Sequence, residues 1–301
     1  MKLSGIHLLL TYQCIFECDH CFVWGSPSQS GTMRLRDIES ILRQARELGT
    51  VEWIYFEGGE SFLYYPLVLK GVQIAAGLGF AVGVVSNAYW ATDAEDAYLW
   101  LEPFAGILRQ LSISVDAYHG EDDSTRQAEH ARAACERLKI PIGVISIAQP
   151  DPAVAPAATG ELPAGESAVM YRGRAAEKLA SQAPQQPPDR FTTCPHEDLR
   201  EPGRVHIDAL GNLHICHGIS LGSVFQTSLH EICEKYDPDA HPITGPLLSG
   251  GPAELARRND LPLRGSYADA CHLCCEARRA LRSRFAEILM PDQMYGIFNN
   301  Q

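Results

Sequence analysis

Three cysteines near the N-terminus, Cys14, Cys18 and Cys21, have the spacing C-x3-C-x2-C. They follow a short apolar run, so the three thiolates would lie on one tight loop after a strand. Three thiolates can hold three corners of a cubane iron-sulfur cluster and leave the fourth iron open. A zinc knuckle is the alternative, although zinc prefers a fourth protein ligand and paired C-x2-C spacing. The spacing therefore favours an iron-sulfur cluster with one open coordination position.

A second group of cysteines lies after residue 190. Its members are Cys194, Cys216, Cys271 and Cys274. Four thiolates would ligate a cluster completely, which favours electron transfer over substrate binding at an open iron. Cys275 could replace Cys274, and a structural four-cysteine zinc site is the alternative. Cys135 and Cys233 are predicted to be small buried hydrophobic residues.

Two motifs in the first half of the chain resemble those of the radical S-adenosylmethionine (SAM) superfamily. The cysteine loop resembles C-x3-C-x-aromatic-C, with His20 at the aromatic position that flanks the adenine. The segment ending in Gly58, Gly59 and Glu60 resembles the GGE motif, whose backbone holds the amino group of SAM. The resemblance implies SAM and a [4Fe-4S] cluster bound by the three N-terminal cysteines. It also suggests SAM contacts from polar residues at the ends of predicted strands, namely Ser86, Asn87 and Ser114.

The C-terminal cysteines resemble the start of the SPASM pattern of radical SAM enzymes. Cys194 is followed by Gly211-x4-Cys216 and then by a C-x2-C pair beginning at Cys271. No cysteine follows Cys275, so the shorter "twitch" form, with one auxiliary [4Fe-4S] cluster, fits better than the full pattern.

Short β-rich runs alternate with helical patterns in the first half of the chain, which predicts the βα repeats of a parallel sheet. The predicted strands are residues 6–11, 51–56, 80–85, 111–115 and 140–147, with a sixth at 168–171 followed by a helix near Arg174. Six units are fewer than the eight of a complete TIM barrel. We therefore expect a partial (β/α)6 TIM-like barrel with a small C-terminal iron-sulfur (twitch-like) domain.

Two stretches rich in Pro and Ala, residues 149–163 and 181–188, are predicted to be loops. A strand-turn-strand pattern follows at residues 205–216. These features place a barrel domain with its linker at residues 1–189 and an auxiliary-cluster domain with a C-terminal helix at residues 190–301.

Several polar residues have weaker predictions. Histidines on the hairpin are expected to pack or form hydrogen bonds rather than bind metal: His206, His214 and His217. A basic stretch on the last predicted helix is expected to face solvent or to pair with acidic residues, and less favourably to bind an anionic substrate: Arg278, Arg279, Arg282 and Arg284. Polar residues near strand ends are candidates for a general base: Glu57, Asp116, Tyr118 and His119.

The bulk composition limits the partners. A formal net charge of -12 argues against a broad phosphate-binding face, so we expect no nucleic acid partner. The apolar run at residues 6–10 is too short for a signal peptide or a membrane span. We therefore expect no membrane association and a cytoplasmic location, where cysteines stay reduced.

The expected function is reductive cleavage of SAM to a 5′-deoxyadenosyl radical that abstracts hydrogen from a small-molecule or peptide substrate. A one-electron donor such as flavodoxin or ferredoxin would reduce the first cluster. An oxidation aided by the auxiliary cluster, modification of a ribosomal peptide, and a non-catalytic iron-sulfur or zinc scaffold are the three alternatives. The scaffold leaves the placement of the Gly58-Gly59-Glu60 motif unexplained.

Overall fold

The structure is a computed structural model that describes residues 1–150 and 166–297. Within those residues the chain forms one nine-stranded sheet in the order β6-β5-β4-β3-β2-β1-β7-β8-β9. The strands are β1 (Leu3–Leu9), β2 (Trp53–Glu57), β3 (Ala81–Ser86), β4 (Gln110–Ser114), β5 (Ile142–Ile147), β6 (Glu166–Ser167), β7 (Gly203–Ile207), β8 (Asn212–Cys216) and β9 (Ile219–Ser223).

Strands β1 to β6 are parallel and lie side by side in chain order. This arrangement confirms the first five predicted parallel strands, with most of their bounds displaced by one to three residues, and a sixth parallel strand is present at a different position. The carboxyl ends of all six strands lie at one edge of the sheet, where enzyme sites form in α/β barrels.

The sixth strand does not lie where the sequence predicted it. The structure has β6 at Glu166–Ser167, and residues 168–171 are in no strand. The backbone N–H of Tyr171 instead donates to the carboxylate of Asp269 at 3.2 Å. The chain then turns at Gly173, where φ is +61°, so a longer strand here is wrong.

Eight α-helices occur in the described residues. They are α1 (Leu35–Leu48), α2 (Tyr65–Gly77), α3 (Ala94–Leu101), α4 (Glu121–Leu138), α5 (Arg174–Lys178), α6 (Leu229–Lys235), α7 (Thr244–Arg258) and α8 (Ala270–Leu281). Helix α1 buries Ile38, Ile41, Leu42 and Ala45 on one face and ends at Gly49, as its apolar spacing predicts. Helix α5 begins at the predicted residue but has only five residues.

The predicted hairpin is present as β7 and β8, which are antiparallel, and β9 extends it. Strand β7 also pairs in parallel with β1, so the hairpin continues the barrel sheet. The domain boundary near residue 190 stays a prediction. Of the two predicted loops, residues 151–163 lie outside the described part. Residues 181–188 contain parts of two short 3-10 helices and one isolated β-bridge, from Gln186 to Tyr267.

In residues 1–150 and 166–297, no helix is long and apolar enough to cross a bilayer.

Candidate functional site

A cavity of about 470 Å³ lies at the carboxyl ends of the parallel strands. Its volume is within the usual range for small-molecule sites. The thiols of Cys14, Cys18 and Cys21 line it. Of the other sequence-predicted residues, the structure brings eight to its wall: His20, Glu57, Gly58, Gly59, Ser86, Asn87, Ser114 and His119.

The cysteine loop is held by its own hydrogen bonds. The backbone N–H of Cys14 donates to the carbonyl of Ser26 at 3.1 Å, and that of Cys21 donates to the carbonyl of Cys18 at 3.0 Å. The N–H of Gly25 points to the Cys21 sulfur at 3.2 Å. Burial raises the pKa of the Cys14 thiol to about 12. Because metal ligands must be thiolates, binding a cluster here would release protons.

Two residues that the sequence did not single out as site residues fix this loop from the end of β6. Arg174, only 6% exposed, donates from Nη1 to the carbonyl of Cys18 and from Nη2 to that of Gly25, both at 2.8 Å. A Cβ at Gly173 would lie 2.5 Å from the Cα of Phe22, so only glycine allows this approach. The sequence predicted a helix near Arg174 but not the contact of this segment with the cysteine loop, because that contact depends on the fold.

The glycines of the GGE segment permit close packing of two loops. The N–H groups of Gly59 and Glu60 donate to the carbonyls of Thr11 and Gln13, both at 2.7 Å. A Cβ at Gly59 would lie 2.1 Å from the Gln13 carbonyl oxygen. Glycine is therefore required at position 59 because the cysteine loop packs against it. This is a second reason for glycine, beside the close approach of a ligand that the sequence motif suggests.

Glu60 does not line the cavity. Its carboxylate is buried and accepts hydrogen bonds from the N–H groups of Phe62 and Asn87 and from the Ser86 hydroxyl. Burial raises its pKa to about 7, although those three hydrogen bonds oppose the rise. Glu60 thus ties the end of β2 to the end of β3. Asn87 also points its Nδ2 at the Cys14 sulfur, 3.7 Å away.

A second polar group on the wall surrounds Asp116 at the end of β4. Its carboxylate lies 2.7 Å from Nδ1 of His119 and 3.3 Å from Nε2 of His20. Burial alone would raise the pKa of Asp116, but these hydrogen bonds hold it well below its usual range. The His20 ring packs on Tyr118 at 4.6 Å between centroids. His20 is thereby fixed in orientation.

A third polar group surrounds Glu57 at the end of β2. The carboxylate of Glu57 lies 3.0 Å from Nδ1 of His7 and 3.2 Å from Nε2 of His206. Burial would raise the pKa of Glu57, but hydrogen bonds and charge from the two histidines lower it well below its usual range. His7, on β1, lines the cavity and was not singled out from the sequence. Among the described residues no hydrogen bond engages its Nε2.

The four C-terminal cysteines meet at a second, much smaller cavity. Cys194, Cys216, Cys271 and Cys274 all line it, although they come from three separate segments. Cys275, the alternative ligand, is 4% exposed and does not line it. Cys135 and Cys233 are buried among apolar residues, as predicted.

The hairpin histidines follow the sequence expectation in part. His206 and His214 each bond a carboxylate, of Glu57 and Asp208 respectively. Both ring nitrogens of His217 are buried without a hydrogen-bond partner in the described part of the chain. The His217 ring lies 4.5 Å from the ring of Phe22, centroid to centroid. Since Phe22 follows Cys21 and His217 follows Cys216, this contact joins the two cysteine groups.

The basic stretch of α8 is not uniformly solvated. Arg279 pairs with Glu177 and Arg282 pairs with Asp292, as expected for pairing with acidic residues. Arg278, in contrast, is 4% exposed and lines the four-cysteine cavity. The prediction that Arg278 faces solvent is therefore wrong. Cys274 lies one helical turn before Arg278, so the two side chains project from the same face of α8.

Comparisons with known proteins agree with this geometry. Residues 8–140 match the family model of the radical SAM superfamily. YydG of Bacillus subtilis strain 168, whose name assigns it to peptide biosynthesis, is 25% identical over 115 residues, or 38% of this chain. The match spans 36% of the length of YydG.

Two crystal structures share the fold. BtrN in complex with AdoMet and 2-DOIA has a TM-score of 0.52 at 12% identity, over 91% of this chain and 92% of BtrN. Streptococcus suis SuiB bound to S-adenosylmethionine has a TM-score of 0.55 at 12% identity, over 81% of this chain and 68% of SuiB. The predicted partial TIM-like barrel is thereby confirmed.

The family match includes the cysteine loop and the GGE segment. In a radical SAM domain these two motifs bind a [4Fe-4S] cluster and SAM. In this chain three thiols line the cavity, which has space for both groups. The chain therefore contains a radical SAM domain at residues 8–140, and this match indicates an enzyme.

Proposed function

We propose that Cys14, Cys18 and Cys21 hold a [4Fe-4S] cluster at the 470 Å³ cavity, in which SAM would bind beside it. When bound, this pair supplies a 5′-deoxyadenosyl radical that abstracts hydrogen from the substrate. The chain places His20 and Asn87 beside the cysteines, Gly58 and Gly59 at the end of β2, and Ser86 and Ser114 at the ends of β3 and β4. These residues are the proposed SAM contacts.

The second part of the proposal is an auxiliary [4Fe-4S] cluster on Cys194, Cys216, Cys271 and Cys274, which accepts one electron from the substrate radical. The observation that carries it is the convergence of four cysteines on one buried cavity. The contact between Phe22 and His217 supports electron exchange because it links the two cysteine groups. A substrate that loses a hydrogen atom and then an electron and a proton is oxidised.

The oxidation also needs a place for the proton. His7 is suited to accept it, because Glu57 bonds its Nδ1 and Nε2 stays without a partner in the described residues. This is the carboxylate-histidine arrangement that orients a general base. The lining of the cavity also contains the apolar side chains of Ile145, Ile147 and Met170. The cavity therefore suits a substrate with a hydroxyl or amine on the reacting carbon and an apolar side.

Peptide modification is the second candidate. The match to YydG supports it, since the name of that relative assigns it to peptide biosynthesis. A side chain or backbone carbon of a peptide would then enter the same cavity. A flavodoxin or ferredoxin is the proposed electron donor in either case.

Anaerobic reconstitution followed by metal analysis tests both cluster assignments. We expect about eight irons per chain and formation of 5′-deoxyadenosine from SAM under reduction. Zinc at the C-terminal site, with iron for one cubane only, would remove the auxiliary cluster from the proposal. No 5′-deoxyadenosine from the iron-loaded protein would contradict the catalytic assignment.

A further inference from the structure

Arg278 is a buried cation without a carboxylate partner. It is 4% exposed, and its Nη1 donates to the carbonyl of His217 at 2.6 Å. Its Nε has no hydrogen-bond partner, and no carboxylate lies within ion-pair distance in the part of the chain that the structure describes. A buried charge that lacks an opposite charge is strongly destabilising. Something in the cavity must therefore supply negative charge.

The groups that face Arg278 are the cysteines. Cys274 lies one helical turn before it on α8, and Cys216 lines the same cavity. Protonated thiols carry no charge, whereas a four-iron cluster held by four thiolates is an anion. The site thus has a cation in place for the proposed auxiliary cluster.

A second arginine on the cavity differs in one respect. Arg172 lies 3.8 Å from the Cys216 sulfur through Nη1, and the same atom is 3.1 Å from a carboxylate oxygen of Glu197. The Glu197 carboxylate pairs with Arg172 and, at 3.8 Å, also with Arg204. Arg278 is therefore the arginine on this cavity that has no carboxylate within ion-pair distance in the described residues.

We propose that Arg278 raises the reduction potential of the auxiliary cluster and so allows it to accept an electron from the substrate radical. The proposal rests on the auxiliary cluster of the proposed function. Reduction adds one negative charge to the cluster, and a buried cation beside it stabilises the reduced form in a medium of low dielectric constant. Net charge, hydrogen bonds to sulfur and solvent exposure are the variables by which proteins set such potentials. Arg278 does not line the 470 Å³ cavity, so substrate binding is not its role.

The test is a potentiometric titration of the auxiliary cluster in the full chain, followed by electron paramagnetic resonance. Replacing Cys14, Cys18 and Cys21 with Ala leaves only this cluster to observe. In that background Arg278→Gln removes the charge but keeps a donor for the His217 carbonyl, and Arg278→Lys keeps the charge. Arg282→Met is the matched control, because Arg282 directly follows α8 and pairs with Asp292, which lies outside that helix.

We expect Arg278→Gln to make reduction at least tenfold less favourable, which is a fall of about 59 mV or more for one electron. The reduction potential in Arg278→Lys should stay close to that of the background protein, and Arg282→Met should not change it. An unchanged reduction potential in an iron-loaded Arg278→Gln protein would overturn the inference about Arg278. The assignment of the auxiliary cluster to the four cysteines would still stand. Absence of iron from the background protein itself, with its C-terminal cysteines unchanged, would instead overturn the auxiliary cluster and the inference with it.

Discussion

The guanidinium of Arg174 lies 2.8 Å from the carbonyl oxygen of Cys18. Arg174 lies beyond β6 and Cys18 lies beyond β1, the last and first of the six parallel strands that follow one another in chain order. A second bond from the same guanidinium reaches the carbonyl of Gly25. The two contacts therefore join the segment after β6 to the cysteine loop and fix the backbone on both sides of Cys21.

Replacing Arg174 should loosen the cysteine loop. Arg174→Met removes two hydrogen bonds from a charged donor, each worth about 1.5–3 kcal/mol, and leaves two carbonyls unsatisfied. We expect the free energy of unfolding of the apoprotein to fall by about 3–5 kcal/mol. Reconstituted protein should lose iron from the first cluster and with it SAM cleavage.

Arg174→Lys is the control for charge. A lysine ammonium is a point charge and cannot match the two-pronged geometry of a guanidinium, so it should recover only part of the stability. Denaturant unfolding and iron content measure both effects. Full iron content and wild-type stability in Arg174→Met would show that the loop does not depend on this contact.

Gly59→Ala should have a similar effect from the other side of the loop. The added Cβ would lie 2.1 Å from the carbonyl oxygen of Gln13, which is backbone and cannot rotate away. The cysteine loop must shift, so formation of 5′-deoxyadenosine should fall at least tenfold. Gly77→Ala is the matched control, because no atom lies within 4 Å of its added Cβ. That variant should keep full activity and gain about 0.4–1 kcal/mol; equal activity in both variants would contradict the packing argument.

The sequence predicted the residues that carry the chemistry of the site better than the residues that hold them in place. Cysteine spacing identifies ligands because the ligands of one loop are close in sequence, and the βα alternation places that loop at a strand end. Arg174 and Arg278 could not be assigned in this way. Each contacts a segment distant in sequence, so the contact exists only after the sheet and α8 have packed. Residues 168–171 were misassigned for a related reason: the side chain of Asp269, almost a hundred residues away, takes the N–H of Tyr171.

Glu57 should make stability depend on pH in the acid range. The bonds from His7 and His206 lower its pKa from an ordinary value of 4.5. A lowered native pKa contributes stability that is present above pH 4.5 and is lost as the pH falls through the native pKa. Glu57→Gln should therefore destabilise the apoprotein by about 1.5–3 kcal/mol at pH 7, and the difference should shrink below pH 4.5. Urea unfolding at several pH values measures it.

The exposed Glu47→Gln serves as the control for this series, with an expected change within about 0.5 kcal/mol at every pH. A Glu57→Gln effect of equal size at pH 7 and pH 3 would mean that packing, rather than charge, accounts for the loss.

Replacing Cys14, Cys18 and Cys21 together with Ala should separate the two clusters. We expect iron to fall from about eight to about four per chain and SAM cleavage to stop. Cys135→Ala is the control, because Cys135 is fully buried among apolar residues of α4. It should keep about eight irons. Formation of 5′-deoxyadenosine by the triple variant would refute the proposed ligand set.

The auxiliary site allows a direct comparison of adjacent cysteines. Cys274 lines the four-cysteine cavity and Cys275 does not, although both are on α8. Cys274→Ala should therefore change or abolish the electron paramagnetic resonance signal of the reduced auxiliary cluster, and Cys275→Ala should leave it as in the wild type. Cys216→Ala should behave like Cys274→Ala and, because hydrogen abstraction precedes electron removal, should still cleave SAM. Loss of the signal in Cys275→Ala alone would assign the fourth ligand to Cys275 and require α8 to rotate from its position in this structure.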